Sequence, residues 1–201
     1  MQNQGDAAQP LTPQQGSALV ALVRQTLLRH FGETLAATDV RQLETVLAEP
    51  PFQARCGVFV TLKIDQGLRG CIGSLTASDP IVAGVRKNAL NAALHDPRFA
   101  PLRRADLDRL QIEVSVLSHP APLAYTDADD LLAKLRPHID GVIIHKGSAS
   151  ATFLPQVWEQ LPQPDQFLSH LCIKAGLAAS QWRDGGLVVQ VYQVQSFQAA
   201  S

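Results

Sequence analysis

The stretch "CGVFVTLKIDQGLRGCIGSL", Cys56 to Leu75, decides how the chain is read. Cys56, Val58, Val60, Leu62 and Ile64 alternate with other residues, which is the period of a half-buried strand. Asp65, Gln66 and Gly67 supply a turn, and Leu68 to Leu75 reads as the returning arm of a hairpin. In that arm Leu68, Gly70, Ile72 and Ser74 share one face, and Arg69, Cys71 and Gly73 share the other. With Leu68 and Ile72 aimed at a core, Arg69 and Cys71 point the opposite way together. A guanidinium beside a thiol favours the thiolate, which is the nucleophile and the metal ligand. Gly70 and Gly73 let a ligand or another backbone come close. The competing reading of Cys71 is a small buried side chain chosen for packing.

Working outward, residues 1–11 read as a polar, disordered tail. "LTPQQGSALVALVRQTLLRHF" then starts a helix, with Thr12 as cap, Pro13 at the first position and Gln15 completing a capping box. Leu19, Leu22, Val23, Thr26 and Leu27 give it one face packed on the core. A second helix is expected over 39–48, stopped by Pro50 and Pro51. Beyond the hairpin, "SDPIVAGVRKNALNAAL" predicts a helix with Asp79 as cap and Pro80 at its first position, ending at "HDPRF". "LQIEVSVLS" is a strand again. A connection over 118–125 leads to a helix at 127–136. The order then recurs: "GVIIHKG" and "SATFLPQV" as a hairpin, "DQFLSHLCIKAGL" as a helix with Gly176 at its end, and "LVVQVYQVQSF" as a closing strand. The halves 56–118 and 140–197 each read strand, strand, helix, strand. The expectation is one α+β domain over 12–197, with N-terminal helices at 12–48 and a mainly antiparallel, duplicated sheet.

Composition excludes several classes. A net charge of −1 and 5% aromatic residues argue against a nucleic-acid surface, which needs clustered cations and stacking platforms. No apolar run reaches the length of a membrane span, and "MQNQGDAAQP" lacks the pattern of a secretory signal. Three dispersed cysteines do not form a disulfide framework, so a cytoplasmic protein with reduced thiols is expected. No GxGxxG, GxxxxGK, HExxH or paired CxxC occurs, and neither a cofactor nor a metal is expected. His138, Asp140 and His145 lie close in sequence but lack ligand spacing.

Glu113 alternates with Ile112, Val114 and Val116. If both strands bury their aliphatic faces in one core, Arg69, Cys71, Glu113 and Ser115 fall on the other side of one sheet. An arginine, a thiol and a carboxylate there would orient a substrate and move protons. A solvated Arg–Glu pair explains the same pattern. Asn88, Asp96 and Arg98 either line this region or hold backbone, Asp96-Pro97 reading as a turn former with Arg98 as its brace or an anion ligand. Cys56 and Cys172 read as core filler.

"LRGCIGSL", "VRKNALNAALHDPRFAPL", "LQIEVSVLS", "DGVIIHKG" and "FLPQVWEQLPQPDQFLSHLCIKAGL", in that order, resemble the AMMECR-one domain family, and within it the bacterial form belonging to the AmmeMemoRadiSam system. The resemblance runs from Leu11 to Phe197. The family signature falls on Leu68 to Gly73, its Asn-Ala pair on Asn88 and Ala89, its Asp-Pro-Arg-Phe on Asp96 to Phe99, its strand glutamate on Glu113 and its Leu-Pro-Gln on Leu154 to Gln156. The resemblance implies an α+β fold of two β-β-α-type halves and brings no settled activity with it. It implies partnership with a Memo-like protein, which resembles extradiol dioxygenases, and with a radical SAM protein. Two readings follow. One is a monomer or weak dimer that binds a small ligand or these partners, with Gly70, Gly73, Asn88, Asp96, Arg98 and Gln156 as binding residues. The other is a thiol-dependent enzyme with Cys71 as nucleophile, Arg69 as stabiliser and Glu113 as proton carrier.

Overall fold

The computed structural model describes residues 10–75 and 78–199. Its elements, in chain order, are α1 (Pro13–His30), α2 (Ala37–Leu47), the single turn α3 (Pro50–Gln53), β1 (Val58–Ile64), β2 (Gly67–Ser74), α4 (Ile81–Leu94), a 3-10 helix (Arg104–Arg109) and β3 (Leu110–Leu117). Then come β4 (Ala121–Pro122), α5 (Ala128–Lys134), β5 (Gly141–Lys146), β6 (Ala149–Phe153), a second 3-10 helix (Pro155–Glu159), α6 (Pro164–Lys174), β7 (Val188–Tyr192) and β8 (Val194–Gln198). The strands form two four-stranded sheets, ordered β2-β1-β3-β8 and β4-β7-β5-β6. The fold is α+β with antiparallel pairing. Among the described residues no helix is long and apolar enough to cross a membrane.

The chain divides into two units, one running to His119 and resuming at Gln195, the other Pro120–Val194. In the first, the Thr12 hydroxyl accepts the Gln15 N–H while the Gln15 side chain accepts the Thr12 N–H, so the expected capping box forms. Leu19, Leu22 and Val23 of α1 and Val85 and Ala89 of α4 share one core with Val58, Val60 and Leu62 of β1 and Ile112 and Val114 of β3. Both helices therefore cover the aliphatic face of the sheet, as the period-2 pattern requires. In the second unit Leu131, Val142, Ile144, Trp158, Phe167, Leu171 and Cys172 form a separate core. There the Trp158 indole stacks on Phe167 at 3.6 Å and donates to the Asp140 carbonyl at 2.7 Å. Gly176, at φ +77°, ends α6 in the left-handed conformation that a helix C-terminus favours.

The repeated element order is visible in both sheets. β1, β2, α4 and β3 are matched by β5, β6, α6 and β7, and the third strand of each set pairs with the first.

Several expectations need correction. Residues 1–9 of the expected tail lie outside the described residues, but Leu11 is buried and its N–H donates to Gln195 Oε1 at 2.9 Å. Pro50 and Pro51 stop α2 and also start α3, since proline suits a first helical turn. The N-cap of α4 is Pro80 and not Asp79, and no side chain caps it. The hairpin partner of β5 ends at Phe153, and Pro155 opens a 3-10 helix. "LVVQVYQVQSF" is two strands and not one: β7 joins the second sheet and β8 joins β3 in the first.

Candidate functional site

β2 does not run in simple alternation. Leu62 pairs with Gly70, but Lys63 pairs with Leu68, so Arg69 is the extra residue of a β-bulge. The bulge corrects the expected faces. Leu68 shares the side of Lys63 and is 42% exposed, outside the core. Arg69 does not stand beside the thiol of Cys71; its guanidinium donates to the Pro101 carbonyl at 3.2 Å, in the loop after α4. Beyond the bulge Cys71 pairs with Thr61 and Gly73 with Phe59, on the face turned away from α1 and α4.

The guanidinium that reaches Cys71 belongs to Arg98. β2 is a sheet edge, and an edge strand presents unpaired backbone groups. At Cys71 both are taken by the Asp96–Phe99 turn. The Cys71 N–H donates to Asp96 Oδ2 at 2.9 Å, and the Cys71 carbonyl accepts from Arg98 Nη2 at 3.2 Å. Asp96 in turn accepts from the Arg98 backbone N–H (3.1 Å), Nε (2.9 Å) and Nη2 (2.7 Å). Its side chain is 2% exposed. The Arg98 guanidinium, helped by the Cys71 and Arg98 backbone N–H groups, holds the Asp96 carboxyl well below the usual carboxylate range despite burial. The Asp96 carboxylate raises Arg98 in return. The signature around Cys71 and the Asp-Pro-Arg-Phe run thus close one strand edge.

The Cys71 side chain is itself hydrogen-bonded. The Thr61 hydroxyl donates to Sγ at 3.2 Å. Thr61 was not singled out in the sequence, although its alternation with Val60 and Leu62 places it on the Cys71 side of a hairpin. Across β1, Thr61 also pairs with Glu113, so Cys71, Thr61 and Glu113 form one row. Glu113 does not reach the thiol. Its Oε2 accepts from Lys63 Nζ at 3.2 Å and from Gln198 Nε2 at 2.8 Å. Lys63 was readable from the same alternation; Gln198 depends on β8 returning beside β3 and has no local signal.

The expected binding residues scatter. A Cβ on Gly70 would lie 2.0 Å from the Ala92 carbonyl oxygen, and one on Gly73 would lie 2.2 Å from the Phe59 ring. Helix backbone makes the close approach at Gly70 that the sequence left to a ligand or another backbone, and the Phe59 ring makes the one at Gly73. Asn88 is buried in α4 and donates to the Val58 carbonyl at 3.0 Å. Gln156 is exposed in the second unit, in the 3-10 helix Pro155–Glu159. Asp140 is engaged by Arg136, with Nη2 to Oδ1 at 2.6 Å, and among the described residues no three His, Cys, Asp or Glu side chains cluster.

Cys56 and Cys172 are buried in the two cores, and desolvation pushes both thiols up. Cys71 is only partly buried. Native protein exposed to iodoacetamide is expected to carry its first alkyl group on Cys71, with Cys56 and Cys172 labelled only on unfolding. Peptide mass mapping after timed quenching checks this; early label on Cys172 contradicts it.

The AMMECR1 family model matches residues 20–197. A protein of Thermofilum pendens is 35% identical over 203 residues, covering 93% of this chain and 91% of its own. One from Methanothermobacter thermautotrophicus is 35% identical over 193 residues, covering 94% and 96%. The crystal structure of the uncharacterized protein PH0010 from Pyrococcus horikoshii superposes with a TM-score of 0.74 at 31% identity, covering 94% of this chain and 93% of that one. With the family model matched over residues 20–197 and relatives 35% identical across nearly the whole chain, this chain belongs to the AMMECR1 family.

Proposed function

We propose that the protein is a ligand- or partner-binding accessory component of a system that also contains a Memo-like protein and a radical SAM protein, and that Cys71 serves structure in it. The observation that carries this reading is that the polar groups near Cys71 bond to one another and to its backbone, not to its thiol. Both Asp96 oxygens are held by Arg98 and by the Cys71 N–H, and Glu113 is held by Lys63 and Gln198. Among the described residues no carboxylate or imidazole is hydrogen-bonded to Sγ, whereas a catalytic nucleophile needs a base in reach. Affinity-tagged protein expressed in its own host is expected to bring down the Memo-like or the radical SAM protein, identified by mass spectrometry. Recovery of the chain alone in repeated preparations overturns the reading.

A second reading, a thiol-dependent enzyme, draws on one observation: the Thr61 hydroxyl donates to Sγ and so orients the sulfur. It predicts that Cys71 alkylates far faster in the folded protein than in the denatured chain. It also predicts that Thr61→Val slows labelling near neutral pH. Labelling no faster than in the denatured chain removes this reading.

A further inference from the structure

The polar cluster around Glu113 does more than hold a strand. Lys63 of β1, Gln111 and Glu113 of β3, Gln198 of β8 and Gln66 of the β1–β2 turn line a pocket of about 330 Å³. That volume is at the small end of ligand-binding cavities. The turn is of the kind with two left-handed residues, Asp65 at φ 51° and Gln66 at φ 64°, which sets the Gln66 side chain against the pocket.

The hydrogen-bonding capacity left over defines a ligand. Lys63 donates one of its three N–H bonds to Glu113 and keeps two. Glu113 receives both its partners on Oε2, leaving Oε1 open. Gln198 uses its amide N–H and keeps its carbonyl. No hydrogen bond among the described residues engages the side-chain amides of Gln66 and Gln111. The formal charges of Lys63 and Glu113 cancel. A phosphate dianion there would face the Glu113 carboxylate, and a simple cation would face the Lys63 ammonium. A molecule carrying both signs meets each with its opposite, and the three glutamines supply neutral donors and acceptors around it.

We propose that this pocket binds a small zwitterion of the amino-acid class, its carboxylate on Lys63 and its ammonium on Glu113 Oε1. The proposal rests on the ligand-binding side of the function given above and assigns Glu113 to recognition.

The test is titration of the isolated chain with glycine and the free L-amino acids, read by thermal shift and by calorimetry, with inorganic phosphate as the anion control. At least one amino acid is expected to raise Tm in a saturable way, with phosphate inert. Glu113→Gln and Lys63→Met are each expected to weaken that binding by about tenfold or more, the loss of one charge-assisted contact. Cys71→Ala is expected to leave it unchanged. Lys63 is partly exposed, so Lys63→Met tests the pocket even if Glu113→Gln fails to fold. No response to any amino acid, an equal response to phosphate, or full binding by Lys63→Met overturns the proposal. Because no partner is present, failure here leaves the co-purification result standing, and the reverse also holds.

Discussion

Asp96→Ala is expected to destabilise the protein by about 2–4 kcal/mol, seen as a fall in the denaturant midpoint with little change in slope. The carboxylate accepts the Cys71 N–H of β2 and three hydrogen bonds from Arg98, and it is nearly inaccessible to water. The Arg98 guanidinium is half exposed and returns to solvent when its partner is removed. The cost therefore comes from the Cys71 N–H, left without an acceptor on a strand edge, and from the emptied carboxylate site. The same group ties stability to pH. Its folded pKa is depressed below the unfolded value of about 3.9, so between the two values the unfolded chain binds more protons. The contribution is complete well above pH 4 and is lost as pH falls through the unfolded value toward the folded one. Asp96→Asn is expected to flatten the acid limb of a stability-against-pH curve. An unchanged acid limb contradicts the role given to Asp96.

Gly70→Ala is expected to cost about 3 kcal/mol or more, at the upper end of overpacking effects. The added Cβ would sit 2.0 Å from the Ala92 carbonyl oxygen, and that oxygen belongs to α4 backbone that no rotamer change can move. Relief requires shifting a helix that carries Val85 and Ala89 into the core, or pulling β2 from the sheet. The expected result is a Tm lowered by roughly 10 °C, or insoluble protein, measured beside Gly147→Ala, whose added Cβ meets nothing within 4 Å. Because Gly147 holds φ +59°, that comparison separates backbone strain from steric collision. Equal losses in the two variants contradict the packing argument.

The elements whose signals are local were legible in the sequence. The capping box at Thr12 and Gln15 needs only four residues of chain, and it formed as read. The alternation of Val58, Val60 and Leu62 needed only a core on one side. What was hidden depends on registration between segments. A single inserted residue at Arg69 reverses which face each neighbour takes, and nothing in "LRGC" marks an insertion, since every residue there is compatible with a strand. The split of "LVVQVYQVQSF" between two sheets is similarly silent, because its apolar residues continue on either side of the division.

The site was legible in its residue types and not in its pairings. Asp96 reads as a turn former with Arg98 as its brace, and that arrangement is present. That the pair closes on the backbone of Cys71 could not be inferred, because the two segments are 25 residues apart and meet only through the placement of α4. Sharing a row across β1 brought Cys71 and Glu113 onto one face, but with Thr61 between them. A shared face therefore placed these groups correctly without making them a catalytic pair.

On the function proposed above, Cys71 holds structure in a binding component and is not a nucleophile. The decisive comparison is co-purification by wild-type and Cys71→Ala protein, both tagged and expressed in the native host, after circular dichroism has shown that both are folded. The two are expected to recover the Memo-like or radical SAM protein in equal yield, because the Asp96–Arg98 closure engages the backbone of residue 71 and not its thiol. Recovery by the wild type and its loss in a folded Cys71→Ala variant would contradict it.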